Sequence, residues 1–337
     1  MLLAMLVVPA AWVPVAPVEA AGAVTVERVS FPVVFDARDA GDKVWGYLYR
    51  PASGPPAAPD CTSSVLLLLH DVSYATHQWD LPYEPERYST ARALAAAGYP
   101  AVSVDLPGHG STEGGDGNRL HIALYADVTA QVITQLRAGS YRVFEGRPAP
   151  RFERVGLVGA GVGTEVAELV AARDPEVAVL VGTGWTHFPS RQFLRDFANW
   201  DLPQTVGKSY IYFGGLPDRR AKYMYDTRAA DPAVVRKDTA YSQFAPSGLV
   251  LTMMSQPSRA VMGTLELPVL LLLGEQDYMF PSAHAQDELA LFAGAADRTM
   301  TVVPRAGHSL FLHHSASESH QAVVDWLRQR PEAVPAC

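Results

Sequence analysis

Val155 to Gly163 reads VGLVGAGVG, and this stretch decides the fold. Val155 to Val158 is a short apolar run of the kind that sits in a sheet covered on both faces. Three glycines then punctuate five residues, Gly159 to Gly163, and an amphipathic period predicts a helix over 162–173. A buried strand turning sharply into a helix is the repeating unit of a parallel sheet. Outward from this unit, similar apolar runs occur at 64–70, 100–105, 177–181 and 269–273, with helical periods over 86–97, 120–138, 283–293 and 317–328. Residues 24–36 and 43–50 alternate as an antiparallel opening pair, and 51–60 is a Pro/Ala/Gly linker. A doubly wound α/β sheet is expected, with no internal repeat. Some 80 residues, 186–264, interrupt the rhythm with aromatics, Pro and Gly, and an insertion of that length between core strands reads as a cap or lid.

Composition bounds the function. The 337 residues are 48% apolar and carry a net charge of −8 without long charged blocks, which suits a globular protein and provides no basic stripe for nucleic acid. No charge occurs from Met1 to Val18, and the small residues around Ala20 and Ala21 predict a signal peptide over 1–21. A membrane anchor is the alternative, but Pro9, Pro14 and Pro17 would break it, so secretion without stable membrane association is expected. The two cysteines, Cys61 and Cys337, suit one disulfide in a secreted chain, with two unpaired thiols as the alternative. Neither lies in a motif, and no metal site and no cofactor are expected.

Five motifs occur in order: LLLLHDVS (66–73), VDLPGHGST (104–112), VGLVGAGVG (155–163), LLLLGEQDYMFP (270–281) and PRAGHSLFLH (304–313). Together they resemble the α/β-hydrolase family over about 24–328. The resemblance implies a mostly parallel, eight-stranded sheet, with core segments at 22–185 and 265–330, the lid at 186–264 and a tail at 331–337. It implies Asp277, in Gly274-Glu-Gln-Asp277, as the triad acid and His308, in Ala306-Gly-His308, as the base, the carboxylate fixing the imidazole tautomer. The nucleophile elbow of the family is G-x-S-x-G, and here Gly161 stands at the serine position, so no acyl-enzyme forms there.

The oxyanion-hole turn departs as well. Where the family commonly has His-Gly, this chain has His70-Asp71, and the hole would use the backbone N–H groups of Val72 and Val162. Asp71 either faces the site as an acid, base or hydrogen-bond partner, or points to solvent. His70, Ser73, Tyr74, His77, Trp185 and His187 are placed by topology near the pocket as candidate substrate contacts, while His313, His314 and His320 are expected at the surface or a helix start. The resulting expectation is a serine-independent enzyme in which His308 and Asp277 act on a small hydrophobic organic molecule in lyase, cyclase or isomerase chemistry. Hydrolysis by His-activated water, an inactive ligand-binding homologue and an inactivated hydrolase are the alternatives. Restoring serine at 161 is expected to restore weak esterase activity.

Overall fold

A computed structural model describes residues 24–35, 41–52, 64–144 and 146–336. The expected signal peptide, the linker beyond Ala52 and the pair Cys61 and Cys337 lie outside the described residues. No helix among the described residues is long and apolar enough to cross a membrane.

The strands are β1 (Val24–Pro32), β2 (Lys43–Pro51), β3 (Ser64–Leu69), β4 (Ala101–Val104), β5 (Arg142–Val143), β6 (Arg154–Ala160), β7 (Val177–Thr183), β8 (Tyr210–Ile211), β9 (Ala245–Pro246), β10 (Val269–Gly274) and β11 (Arg298–Val303). Nine of them form one sheet in the order β11-β10-β7-β6-β3-β4-β2-β1-β5, and β8 pairs with β9 apart from it. Pairing is parallel from β11 through β4 and antiparallel at β2, β1 and β5. This is the expected architecture with nine strands instead of eight. The short β5 escapes an apolar-run reading, and β11 is an edge strand paired only with β10, with polar and half-buried positions in place of a continuous apolar run.

The central strands are buried on both faces. On β3, Val65, Leu67 and Leu69 join one core layer, with Tyr125 and Val132 of α3 (Ile122–Ala138) and Val166 of α4 (Val162–Ala171). Leu66 and Leu68 join the opposite layer, with Leu94 of the helix Thr90–Ala96 and Val323 and Leu327 of the helix Ala316–Arg328. Alternation with period two sends neighbouring leucines to opposite layers, so a run of apolar residues is what a doubly covered strand requires. The helix expected over 86–97 is two helices, Pro85–Tyr88 and Thr90–Ala96, because Ser89 is extended and caps the second by accepting from the Arg92 N–H.

Residues 186–264 form short helices and the β8–β9 pair, and they meet the loops at the carboxyl ends of the strands. Arg220 Nε donates to Ser73 Oγ at 3.1 Å, Tyr74 Oη donates to Asp238 at 3.2 Å, and the Ser309 N–H donates to the Met224 carbonyl at 2.9 Å. Inside this segment Arg220 and Asp238 form a fully buried ion pair at 2.8 Å.

Helix α4 starts against the end of β3. A β-carbon on Gly163 would overlap the Leu69 carbonyl, a backbone group that cannot rotate away. Gly163→Ala is therefore expected to destabilise the protein by about 1–3 kcal/mol in urea unfolding. An unchanged midpoint would show that the β3–α4 approach has slack.

Candidate active site

In the β3–β6 register Leu69 stands opposite Gly159. Two residues further on, the turn carrying Asp71 and the turn carrying Gly161 face each other across the same gap. Gly161 has φ +51°, a left-handed value that favours glycine, and Val162 starts α4 immediately after it. The elbow geometry therefore persists without its side chain.

Asp71 fills the gap. Its Oδ1 accepts from the N–H of Val72 at 2.7 Å and of Val162 at 3.0 Å, the two donors expected to form the oxyanion hole. Its Oδ2 lies 3.0 Å from His308 Nε2, and His308 Nδ1 lies 2.9 Å from Asp277 Oδ2. Asp277 Oδ1 accepts from the N–H groups of Met279 and Phe280 at 2.8 and 3.0 Å. The Asp71 backbone is held too: its N–H donates to Gln78 Oε1 at 2.8 Å and its carbonyl accepts from His70 Nδ1 at 2.8 Å. The carboxylate thus faces the site and does not point to solvent.

A β-carbon on Gly161 would overlap the Asp71 carboxyl carbon and Oδ1. The aspartate occupies the space a serine side chain would need. The expectation of weak esterase activity for serine at 161 holds only with the Val72 and Val162 donors free for acyl transfer, and here Asp71 takes both donors and the volume that serine would need.

The electrostatics follow from burial against pairing. Burial alone would push the His308 pKa down, but the charge and hydrogen bond of Asp277, with those of Asp71, raise it to about 10. Burial alone would raise Asp71, yet the hydrogen bond and charge of His308 and the N–H groups of Val162 and Val72 bring it below the usual carboxylate range. Carboxylates on both ring nitrogens favour the imidazolium, and with both N–H groups donating, His308 has no free lone pair in this arrangement.

The expected substrate contacts are engaged elsewhere. His70 Nε2 accepts from the Leu106 N–H at 2.9 Å, a structural role. Ser73 and Tyr74 bond to the Arg220–Asp238 pair, and Tyr74 Oη also lies 2.7 Å from Ser309 Oγ. His77 sits 3.8 Å from Asp238, and burial keeps it neutral, with its pKa lowered to about 4. Trp185 packs on Phe280 at 4.7 Å between ring centroids. His187 is not at a pocket mouth: it is buried and bonded to Glu288 and Ser258. A small crevice reaches His308, lined by Gln78, Ala160, Thr183 and 309–312, with room for about one water.

Two histidines expected at the surface are buried. His313 Nε2 accepts from the N–H groups of Gly307 and Asp226, both at 3.0 Å, so it ties the His308 loop to the inserted segment. His320 Nε2 lies 3.0 Å from Thr90 Oγ1. Its place on the buried face of the last helix was legible from period 3.6 spacing with Val323 and Val324. Nothing in the sequence pairs Arg220 with Asp238 or His313 with Asp226.

The charges of the array make stability depend on pH. His308, raised on folding, contributes fully below its unfolded value of about 6.5 and loses that contribution as pH rises to about 10. Asp71, lowered on folding, contributes above about 4 and loses it in acid. Unfolding free energy should therefore fall by a few kcal/mol, in order of magnitude, between pH 6.5 and 10. Asp71→Asn should shrink that alkaline fall, and NMR titration of the His308 ring should show its pKa moved down. A parental profile flat over this range would remove the imidazolium.

Comparison with known proteins bears on the fold. The model of the Alpha/beta hydrolase family matches residues 66–326. No curated protein matches the chain by sequence. Among solved structures, a thermophilic esterase from Thermogutta terrifontis is similar at TM-score 0.65 and 18% identity, with 90% of this chain and 98% of that chain covered. A monoacylglycerol lipase from Paleococcus ferrophilus aligns at TM-score 0.59 and 19% identity over 78% and 93% of the two chains. An esterase from Exiguobacterium antarcticum aligns at TM-score 0.64 and 16% identity over 86% and 96%. At these identities the structural likeness speaks for the fold, and the family match spans most of the chain: this protein belongs to the alpha/beta hydrolase family.

Proposed function

We propose that this chain is a serine-independent member of its family whose hydrolytic centre is held closed by its own aspartate, and that it does not turn over esters through an acyl-enzyme. One observation carries the reading. The Asp71 carboxylate accepts from both oxyanion-hole donors and from His308 at once, so the groups that would stabilise a substrate oxyanion are saturated from within. Asp71 stands in the hole as a carboxylate product would, one oxygen on the N–H pair and the other on the imidazolium. Arg220 and Asp238 of 186–264 also bond to each other and to Ser73 and Tyr74, which favours a closed homologue over an open hydrolase.

A second reading rests on the crevice beside His308. Through it a small hydrophobic organic molecule would meet an intact His308–Asp277 pair, and non-hydrolytic acid–base chemistry of lyase, cyclase or isomerase type would need neither serine nor cofactor. With His308 protonated up to about pH 10, that chemistry would use it as an acid near neutrality, and base catalysis would require alkaline pH. A neutral-pH activity that His308→Ala lowers by about 100-fold or more would favour this reading over the closed homologue.

The first reading is tested by exchange of the two departures. The parental protein and Gly161→Ser alone should show no ester burst and no labelling by serine-directed phosphonates. The double change Asp71→Gly with Gly161→Ser empties the hole and installs the hydroxyl. It should become labelled stoichiometrically and exceed the parental ester turnover by about 100-fold or more. Stoichiometric labelling of the parental protein would overturn the proposal.

A further inference from the structure

A second buried polar cluster lies on the other side of Trp185 and Phe280 from His308. Helix α4 carries Glu165 and Glu168 at a spacing of three, which puts both carboxyl groups on one face. That face is turned inward, and both residues are fully buried. Against them stand His187 in the loop after β7, Ser258 in the turn Pro257–Ala260, and Glu288 on the helix Ala285–Leu291. Glu288 is satisfied: it accepts from the His187 backbone N–H at 2.7 Å and lies 2.9 Å from His187 Nδ1. The imidazole is thereby oriented with Nε2 directed inward, 2.8 Å from Ser258 Oγ and 3.8 Å from Glu168 Oε2.

Neither oxygen of Glu165 and neither oxygen of Glu168 has a hydrogen-bond partner of good geometry. Two buried carboxylates without partners cost several kcal/mol each unless something neutralises them. Protons alone leave the need for partners unmet. Burial raises Glu165 to about 9, against the opposing dipoles of Ser258, and Glu168 to about 8, but a buried carboxylic O–H still needs an acceptor. A cation meets both needs, since it takes carboxylate oxygens directly. Ligand atoms of Glu168, His187 and Glu288 lie within 4.8 Å of one another, and Glu165 follows from the same face of α4 as Glu168. Ligands of a tetrahedral ion lie about 3.4 Å apart, close to the 3.8 Å between Glu168 Oε2 and His187 Nε2, so a small side-chain adjustment closes that pair on an ion.

We propose that Glu165, Glu168 and His187 Nε2 form a structural site for one divalent transition-metal ion, zinc or manganese, with Glu288 as the outer carboxylate on His187 Nδ1. One imidazole with carboxylates and no thiolate suits these ions, whereas calcium and magnesium favour all-oxygen sets. The carboxylate on the far imidazole nitrogen is the usual support of a metal-bound histidine. Charge closes as well. The dication balances Glu165 and Glu168, neutral His187 is the third ligand, and Glu288 keeps its hydrogen bonds from the His187 Nδ1–H and backbone N–H. Loading expels the two carboxylic protons and the Nε2 proton to solvent, so binding releases up to three protons. The ion would pin the helix that carries the Val162 N–H to the loop after β7 and to the helix of Glu288. It would not touch the reacting groups, and the site stands whether or not Asp71 closes the hydrolytic centre.

The test uses the full chain, stripped by chelator, with zinc, manganese or calcium chloride alone as probe. Elemental analysis after gel filtration should find one zinc or manganese per chain, with calcium bound far less. The melting temperature should rise by about 5 °C or more with saturating ion. The double change Glu165→Gln and Glu168→Gln keeps the shape of the protonated side chains, so it should fold with the melting temperature of the stripped parent. It should bind less than a tenth of an ion and lose the shift. The parental protein loaded with cobalt(II) should show the weak visible bands of nitrogen and oxygen ligands, a readout that needs no variant. Absence of stoichiometric zinc or manganese with an unmoved melting temperature would overturn the proposal, as would unchanged binding in the double variant.

Discussion

The contact of Asp71 with His308 and with the N–H groups of Val72 and Val162 is the constraint on which the rest of the site depends. It joins three turns, after β3, β6 and β11, into one buried array. In a serine enzyme of this fold the same donors wait for charge that develops in the transition state. Here the charge is permanent, belongs to the chain and is already paired. In the proposed closed centre, preorganisation that would lower a barrier instead stabilises a ground state, and Gly161 and Asp71 fit one another in space. Glycine at 161 is what lets the carboxylate in, because any β-carbon would occupy its place.

The burial of this array explains why the groups that hold it are paired. Taking an imidazolium and two carboxylates out of water is tolerable only when each remaining lone pair and proton is met. Met279 and Phe280 meet Asp277, Gln78 and His70 meet the Asp71 backbone, and His313 holds the loop that presents His308. The inserted segment adds the Arg220–Asp238 pair above Ser73 and Tyr74. Polar groups that a substrate would otherwise engage are thereby committed to the fold.

Helix α4 links the two polar centres. Its first N–H points at Asp71, and its first two turns place Glu165 and Glu168 in the cluster with His187. Aromatic packing separates them, with Trp185 between His187 and Phe280 and Phe280 beside His308. The centres are therefore distinct in chemistry though one element positions both. One is closed by its own hydrogen bonds. The other has buried carboxyl groups that lack them.

The sequence by itself determined the sheet, because strands buried on both faces must be unbroken apolar runs, and β3, β6, β7 and β10 read as such. It determined the missing nucleophile, a matter of which atom is absent at Gly161, and the Asp277–His308 pairing, through motif order. It did not reveal β5 or β11, since a two-residue strand and a half-exposed edge strand lack that pattern. Which way Asp71 turns was settled only by the β3–β6 register, which sets its turn opposite Gly161 across a gap the size of a side chain. The pair Glu165 and Glu168 on α4, His187 in the loop after β7 and Glu288 on the helix Ala285–Leu291 are spread over more than 120 positions, so no local spacing announces their meeting. Periodicity reports which face of an element is buried, while the partners across that face are chosen by packing. Polar residues on a buried face carry their chemistry only once those partners are known.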